Sequence, residues 1–209
     1  MSGAIHSSRS RLWAALAAIA APLAALGLVL ATRDGPGIAG YVSESGVAGA
    51  PHALVYRLTL LLLAFAAFAA ALGLRPVAGL AAFALSLAVP CLLVSGSVQC
   101  SPGCPLPPYE RPTTGDLLHA GASMAAVGLC ALAMLAAALR STDQVVRVGA
   151  RWAVAVMIPA GTAMLAGLLI VGKTPFTGTV ERVCLAGCLA WVALTSLRMA
   201  LAPVAQARP

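Results

Sequence analysis

Charge is the scarcest commodity in this chain. Only 9% of its 209 residues are Asp, Glu, Lys or Arg, where a soluble domain carries about 25%. Without a charged coat the chain has nothing to present to water, so a soluble globular domain is excluded. Aromatic residues are also sparse, at 5%. Acidic residues number six against thirteen Lys and Arg, but the basic residues are scattered along the chain. No dense patch or aromatic interleaving suggests nucleic acid, and no phosphate-binding glycine loop is present. Also missing are a Gly-x-Ser-x-Gly elbow, a His-x-x-x-His pair and, inside the apolar runs, a Gly-x-x-x-Gly. Those absences remove the usual short signals for a serine hydrolase, a zinc site and a tight helix dimer.

What remains is greasy. Hydrophobic residues make up 61% and the mean hydropathy is +0.96. Six runs, at about 12–31, 52–73, 77–96, 116–139, 149–171 and 182–202, approach the ~20 residues that a ~30 Å hydrocarbon core requires. Alanine, leucine and glycine dominate them, and such small residues let helices pack closely. The expected fold is an all-α, polytopic membrane protein: one domain over 1–209, a six-helix bundle. Arg9 and Arg11 precede the first run. That run is longer than the roughly 7–15 residues of a signal-peptide core, so it reads as a retained span. Pro22, Pro90 and Pro159 fall inside the first, third and fifth runs, where proline kinks a helix.

An even number of spans leaves both termini on one side. Arg9, Arg11, Arg75, Arg140, Arg147, Arg151, Arg198 and Arg208 belong to that side, and Arg33, Arg111, Lys173 and Arg182 to the other. Eight against four predicts cytoplasmic termini at the inner (plasma) membrane. The tight turns at Arg75-Pro76 and Arg140–Arg147 then face the cytoplasm. Two loops of about 20 residues (32–51 and 97–115) and a shorter one (173–180) face outward. Long ordered loops carry function more often than tight turns do.

The outer loops also gather the polar chemistry. Cys100 and Cys104, separated by Ser101-Pro102-Gly103, lie where disulfides persist. Closing so small a ring contributes only about 2 kcal/mol in the chain-entropy account. The rival reading, two thiolates beside His119 holding copper or zinc, lacks four evident ligands. No cofactor is implied. Cys91, Cys130, Cys184 and Cys188 lie within the spans, where cysteine behaves as a small hydrophobe. Asp116 and His119 are three apart at a helix start, so they share a face and have the spacing to hydrogen-bond. Thr113 or Thr114 is placed to cap that helix. His52 follows Pro51, a residue suited to the first helical position. Arg57 falls inside the second run and needs a carboxylate partner, Glu44, Asp116 or Glu181, or must snorkel. Glu181 and Arg182 open the sixth run.

Taken together, Tyr41-Val42-Ser43-Glu44, the Cys100–Cys104 segment, Asp116-Leu117-Leu118-His119 and Glu181-Arg182 form a distinctive ordered set. The chain resembles, over nearly its whole length, the bacterial and archaeal membrane family known as domain of unknown function nine hundred and ninety-eight. More distantly it is similar to the six-span DRAM-type proteins linked to lipid organisation. The resemblance implies a six-helix bundle with a polar cluster at the outer face, comprising Ser43, Glu44, Asp116, His119, Glu181 and Arg182. It implies no established activity.

Three functions compete on these observations. A polar ring at headgroup depth on an otherwise apolar bundle points first to binding of a membrane lipid or small amphiphile, or docking of another membrane protein. The second is an intramembrane hydrolase or transferase with His119 as base and Asp116 as orienter. The third, a secondary transporter, lacks mid-membrane charges in the last three spans and an evident inverted repeat.

Overall fold

The computed structural model describes residues 7–35 and 37–202. Arg208, one of the residues placed on the terminal side above, lies outside them. Among the described residues six helices are long and apolar enough to cross a membrane. They are α1 (Ser8–Thr32), α2 (Ala53–Leu74), α3 (Gly79–Ser97), α4 (Thr114–Arg140), α5 (Gln144–Ile170) and α6 (Pro175–Leu201). No strand occurs among the described residues. A short 3-10 turn, Val42–Gly46, interrupts the first long loop. This is a multi-pass membrane protein.

The helix ends follow from side-chain caps that a hydropathy reading averages away. Asp143 accepts from the N–H groups of Val145 (2.9 Å) and Val146 (3.0 Å), so α5 begins five residues before the expected 149. Thr174 caps α6 in a reciprocal box with Thr177, and Pro175 fills the first turn. Proline is preorganised there because its missing N–H is an orphan at a helix start anyway. The helix therefore starts at 175, not 182, and the expected outer loop 173–180 is mostly helix. Glu181 and Arg182 lie nearly two turns inside α6 rather than at its opening. Pro51, in turn, precedes the cap residue His52 instead of occupying the first helical position.

Consecutive helices pack antiparallel, and α1 meets α6 to close the ring. The seam of α1 and α2 is alanine: Ala14, Ala17, Ala21, Ala66, Ala69 and Ala70 are all buried. Two glycines bring backbones nearer still. A Cβ on Gly73 would sit 3.0 Å from that of Ala14, and one on Gly27 would sit 2.2 Å from Thr59 Oγ1. In lipid, where apolar tails compete with apolar side chains, this close van der Waals approach is what holds helices together. Large side chains such as Ile19, Phe83, Leu139 and Leu201 point outward and are largely exposed. That suits a surface solvated by acyl chains.

At the end holding the start of α1 and the end of α6, Arg11 Nε donates to the carbonyl of Ala200 (3.1 Å). Arg198 pairs with Asp143 (3.0 Å), and the Thr142 N–H reaches the carbonyl of Val77 (2.9 Å). The opposite end carries the long loops. Helix α5 is the least enclosed member: 17% of its apolar window is buried, against 56% for α2.

Candidate functional site

The two long loops and the short link between α5 and α6 form one roof. Cys100 and Cys104 are bonded, with Cα atoms 5.1 Å apart. Gly103 takes φ +87°, a conformation that glycine adopts without a Cβ clash. Between the cysteines, Ser101 gives both its N–H (2.7 Å) and its hydroxyl (2.8 Å) to the carboxylate of Asp116. Thr113 gives its N–H and hydroxyl, each at 2.7 Å, to the same carboxylate. Asp116 is 1% exposed and accepts from four donors. It caps α4 and nails the disulfide loop to it, and it does not bond His119. The expected Asp116–His119 pair is absent because Ser101 and Thr113 fill the carboxylate with four converging donors while His119 Nδ1 turns to the carbonyls of Ser95 and Val98.

The first loop is seated on α6. Glu181 accepts from the Val42 N–H at 2.7 Å. Arg182 donates to the carbonyls of Gly37 (2.7 Å), Gly40 (3.0 Å) and Gly178 (2.7 Å). Glu181 and Arg182 thus point to different partners instead of pairing. Gly178 has no room for a side chain, since a Cβ there would lie 2.2 Å from the carbonyl oxygen of Ile38. Lys173 ties the loops together: Nζ pairs with Glu44 (2.6 Å), donates to Gly103 O (3.2 Å) and lies 5.8 Å from the centre of the Tyr41 ring. Burial pushes the Tyr41 phenol above its ordinary pKa.

Beneath this roof lies a cavity of about 460 Å³. Ser43, Asp116, His119 and Glu181 reach its upper wall, with Tyr41, Tyr56, Ser95 and Ser123. Its lower wall is apolar and includes Met157, Leu189 and Val192. Cys130, Cys184 and Cys188 also line it, so these cysteines face a cavity as well as packing. From His119 to Cys130 along α4 is eleven residues, roughly 16 Å at 1.5 Å per residue. Gly128 of α4 and Gly161 of α5 belong to the wall, and a Cβ on either would meet nothing within 4 Å. These two glycines therefore leave room in the wall where α4 faces the poorly enclosed α5.

His119 is the distinctive group. It is 3% exposed, and Nδ1 lies 2.8 Å from the carbonyl of Ser95 and 3.0 Å from that of Val98. Carbonyls only accept, so Nδ1 carries the proton and, in the neutral ring, Nε2 is a bare acceptor. Nε2 is buried and has no hydrogen-bond partner among the described residues. The Ser95 hydroxyl, 2.7 Å from that of Ser123, also lies 3.5 Å from Nδ1. A protonated Nδ1 cannot take a proton from it. The geometry presents a fixed acceptor, not a nucleophile–base relay.

The profile of the family described as Protein of unknown function (DUF998) matches residues 14–198. The chain is a member of the DUF998 family. No curated protein and no solved structure matches it.

In this DUF998 protein the expected polar residues fall into four places. Ser43, Asp116, His119 and Glu181 share the cavity wall, while Glu44 and Arg182 work in the roof above it. His52 stands apart, bonded to Asp34 at 3.0 Å on the exposed side of the first loop, and with Glu44 it borders a smaller recess. Arg57 finds no carboxylate: Nε donates to the carbonyl of Gly96 (3.2 Å) at the end of α3. A cation there is favoured by the last carbonyls of a helix. Among the described residues no group of three or more His, Cys, Asp or Glu is gathered for a metal. Sequence reasoning passed over Ser95 and Ser123. One signal was available, because Ser123 is four residues after His119 and so occupies the same helix face.

Proposed function

We propose that this protein binds the apolar tail of a membrane lipid or small amphiphile in the cavity, with the polar end held at the His119 wall. The observation that carries this reading is a cavity of about 460 Å³ that is apolar below and polar at one end. Its size falls within the ~300–1,000 Å³ usual for small-molecule sites, which likewise combine apolar walls with a few placed polar groups. Access is from the bilayer between α4 and α5, at the level of Gly128 and Gly161. The arginine balance supports termini in the cytoplasm of the cell and a roof in the outer leaflet.

The test is retention of lipid by the full-length chain. Native mass spectrometry after delipidating washes is expected to find one bound lipid per chain. Gly161→Phe, which extends a side chain into unoccupied wall space, is expected to cut retention at least fivefold while leaving thermal unfolding near that of the parent. Equal retention by the two proteins, or no bound lipid in either, overturns the proposal.

A further inference from the structure

The chemistry of the polar wall narrows the ligand, and this step rests on the tail-binding reading above. We infer that the cavity selects an uncharged, single-chain lipid alcohol, whose hydroxyl donates to Nε2 of His119.

Four observations converge on that ligand. First, His119 offers a buried acceptor with no partner, held in orientation by two carbonyls on the other side of its ring. A buried acceptor left unmatched is costly, so a ligand that supplies a donor gains most. Second, no Lys or Arg lines the cavity. Arg57 is held by Gly96, Arg182 by two loop carbonyls and that of Gly178 in its own helix, and Lys173 by Glu44. A phosphate or carboxylate headgroup would be buried without a counter-charge, beside Asp116 and Glu181. Third, those two carboxylates are already engaged: Asp116 by four donors, and Glu181 by the Val42 N–H. An ammonium brings three donors, and beside Nε2 it would find at most the second oxygen of Glu181, so a single hydroxyl is the better match. The Ser95–Ser123 hydroxyl pair, one of whose oxygens lies 3.5 Å from the His119 ring, can accept or donate and completes an uncharged polar wall.

Fourth, the volume sets the tail. At about 460 Å³ the cavity lies in the lower half of the ~300–1,000 Å³ range of small-molecule sites, which suits one chain rather than the two of a bilayer phospholipid.

The experiment uses the full-length protein in phosphatidylcholine nanodiscs, with C16 photoprobes carrying a mid-chain diazirine. The probes are the alcohol, its methyl ether, the carboxylic acid and the primary amine. Saturable labelling of peptides containing Cys130, Met157 or Cys188 is read by mass spectrometry. The alcohol is expected to saturate at roughly tenfold lower mole fraction than the methyl ether, the scale of one buried hydrogen bond. His119→Asn keeps a donor where Nδ1 sits and removes Nε2, and is expected to abolish that difference. The wild-type comparison stands by itself if the variant fails to fold. An ether that labels as well as the alcohol, or an acid or amine that labels better, overturns the choice of headgroup while leaving tail binding intact. No saturable labelling of these peptides by any probe overturns the tail-binding reading itself.

Discussion

Replacing Asp116 with asparagine keeps the shape of the side chain and changes only what it can accept. In the wild-type protein Oδ1 accepts from the Ser101 N–H, and Oδ2 accepts from the Ser101 hydroxyl and from the Thr113 N–H and hydroxyl. An amide must set its NH2 against one of these groups. If it takes the Oδ1 place it faces the Ser101 N–H. If it takes the Oδ2 place the two hydroxyls can turn and accept, but the Thr113 N–H is left facing a donor. Either way one buried backbone N–H loses its partner, at about 1–3 kcal/mol, and the surviving bonds lose their charge assistance, about 1 kcal/mol more. The expected loss is therefore about 2–4 kcal/mol. At roughly 2–4 °C per kcal/mol for a chain of this size, Tm falls by roughly 4–16 °C. Intrinsic tryptophan fluorescence during heating in detergent reads this, since Trp191 is buried in the core. Ser101→Ala is expected to cost less, and the double variant less than the sum, because both act on one network. A D116N protein melting within 2 °C of wild type would refute the assignment of Asp116 as the anchor of the disulfide loop.

Two further outcomes follow from the roof. Gly178→Ala places a methyl against the backbone oxygen of Ile38, and because a carbonyl in a seated loop has no soft rotamer to yield, a loss of about 1–3 kcal/mol is expected, with faster proteolysis in the first loop as the readout; unchanged proteolysis would mean the loop is not seated on α6. Maleimide mass-tagging of the denatured full chain is expected to modify four cysteines before reduction and six after, since Cys91, Cys130, Cys184 and Cys188 are free, and six tags without reductant would refute the Cys100–Cys104 bond.

Membrane spans are legible because length and hydropathy act together over some twenty residues, and the six runs reappear as six helices. Their ends are less so. The first turns of α5 and α6 contain Gln144, Arg147, Thr177 and Thr179, which lower a hydropathy average even though Asp143 and Thr174 cap them well. The location of the polar site was also readable, since Asp116 and His119 are conspicuous in an apolar helix. Their partners were not. Asp116 takes two of its four donors from backbone N–H groups, one of them fifteen residues upstream, Arg57 finds a carbonyl thirty-nine residues away, and His119 finds two carbonyls at the end of α3. Backbone groups have no letter in a sequence, so a search among side chains looks past them. The cavity is hidden for a related reason: it arises from how several helices sit against one another, not from any one residue.

The fastening of the first loop to α6 has a consequence for biogenesis. Val42 and Glu181 are separated by 139 residues, and Gly40 and Arg182 by 142. At roughly 5–20 residues per second, translation needs roughly 7–28 s to cover that interval. During it, the segment between the first two helices has neither its carboxylate nor its guanidinium. The long-loop surface is thus completed last, by the final helix delivered, and a chain stalled before α6 would display that segment unfastened to the quality-control machinery of the membrane.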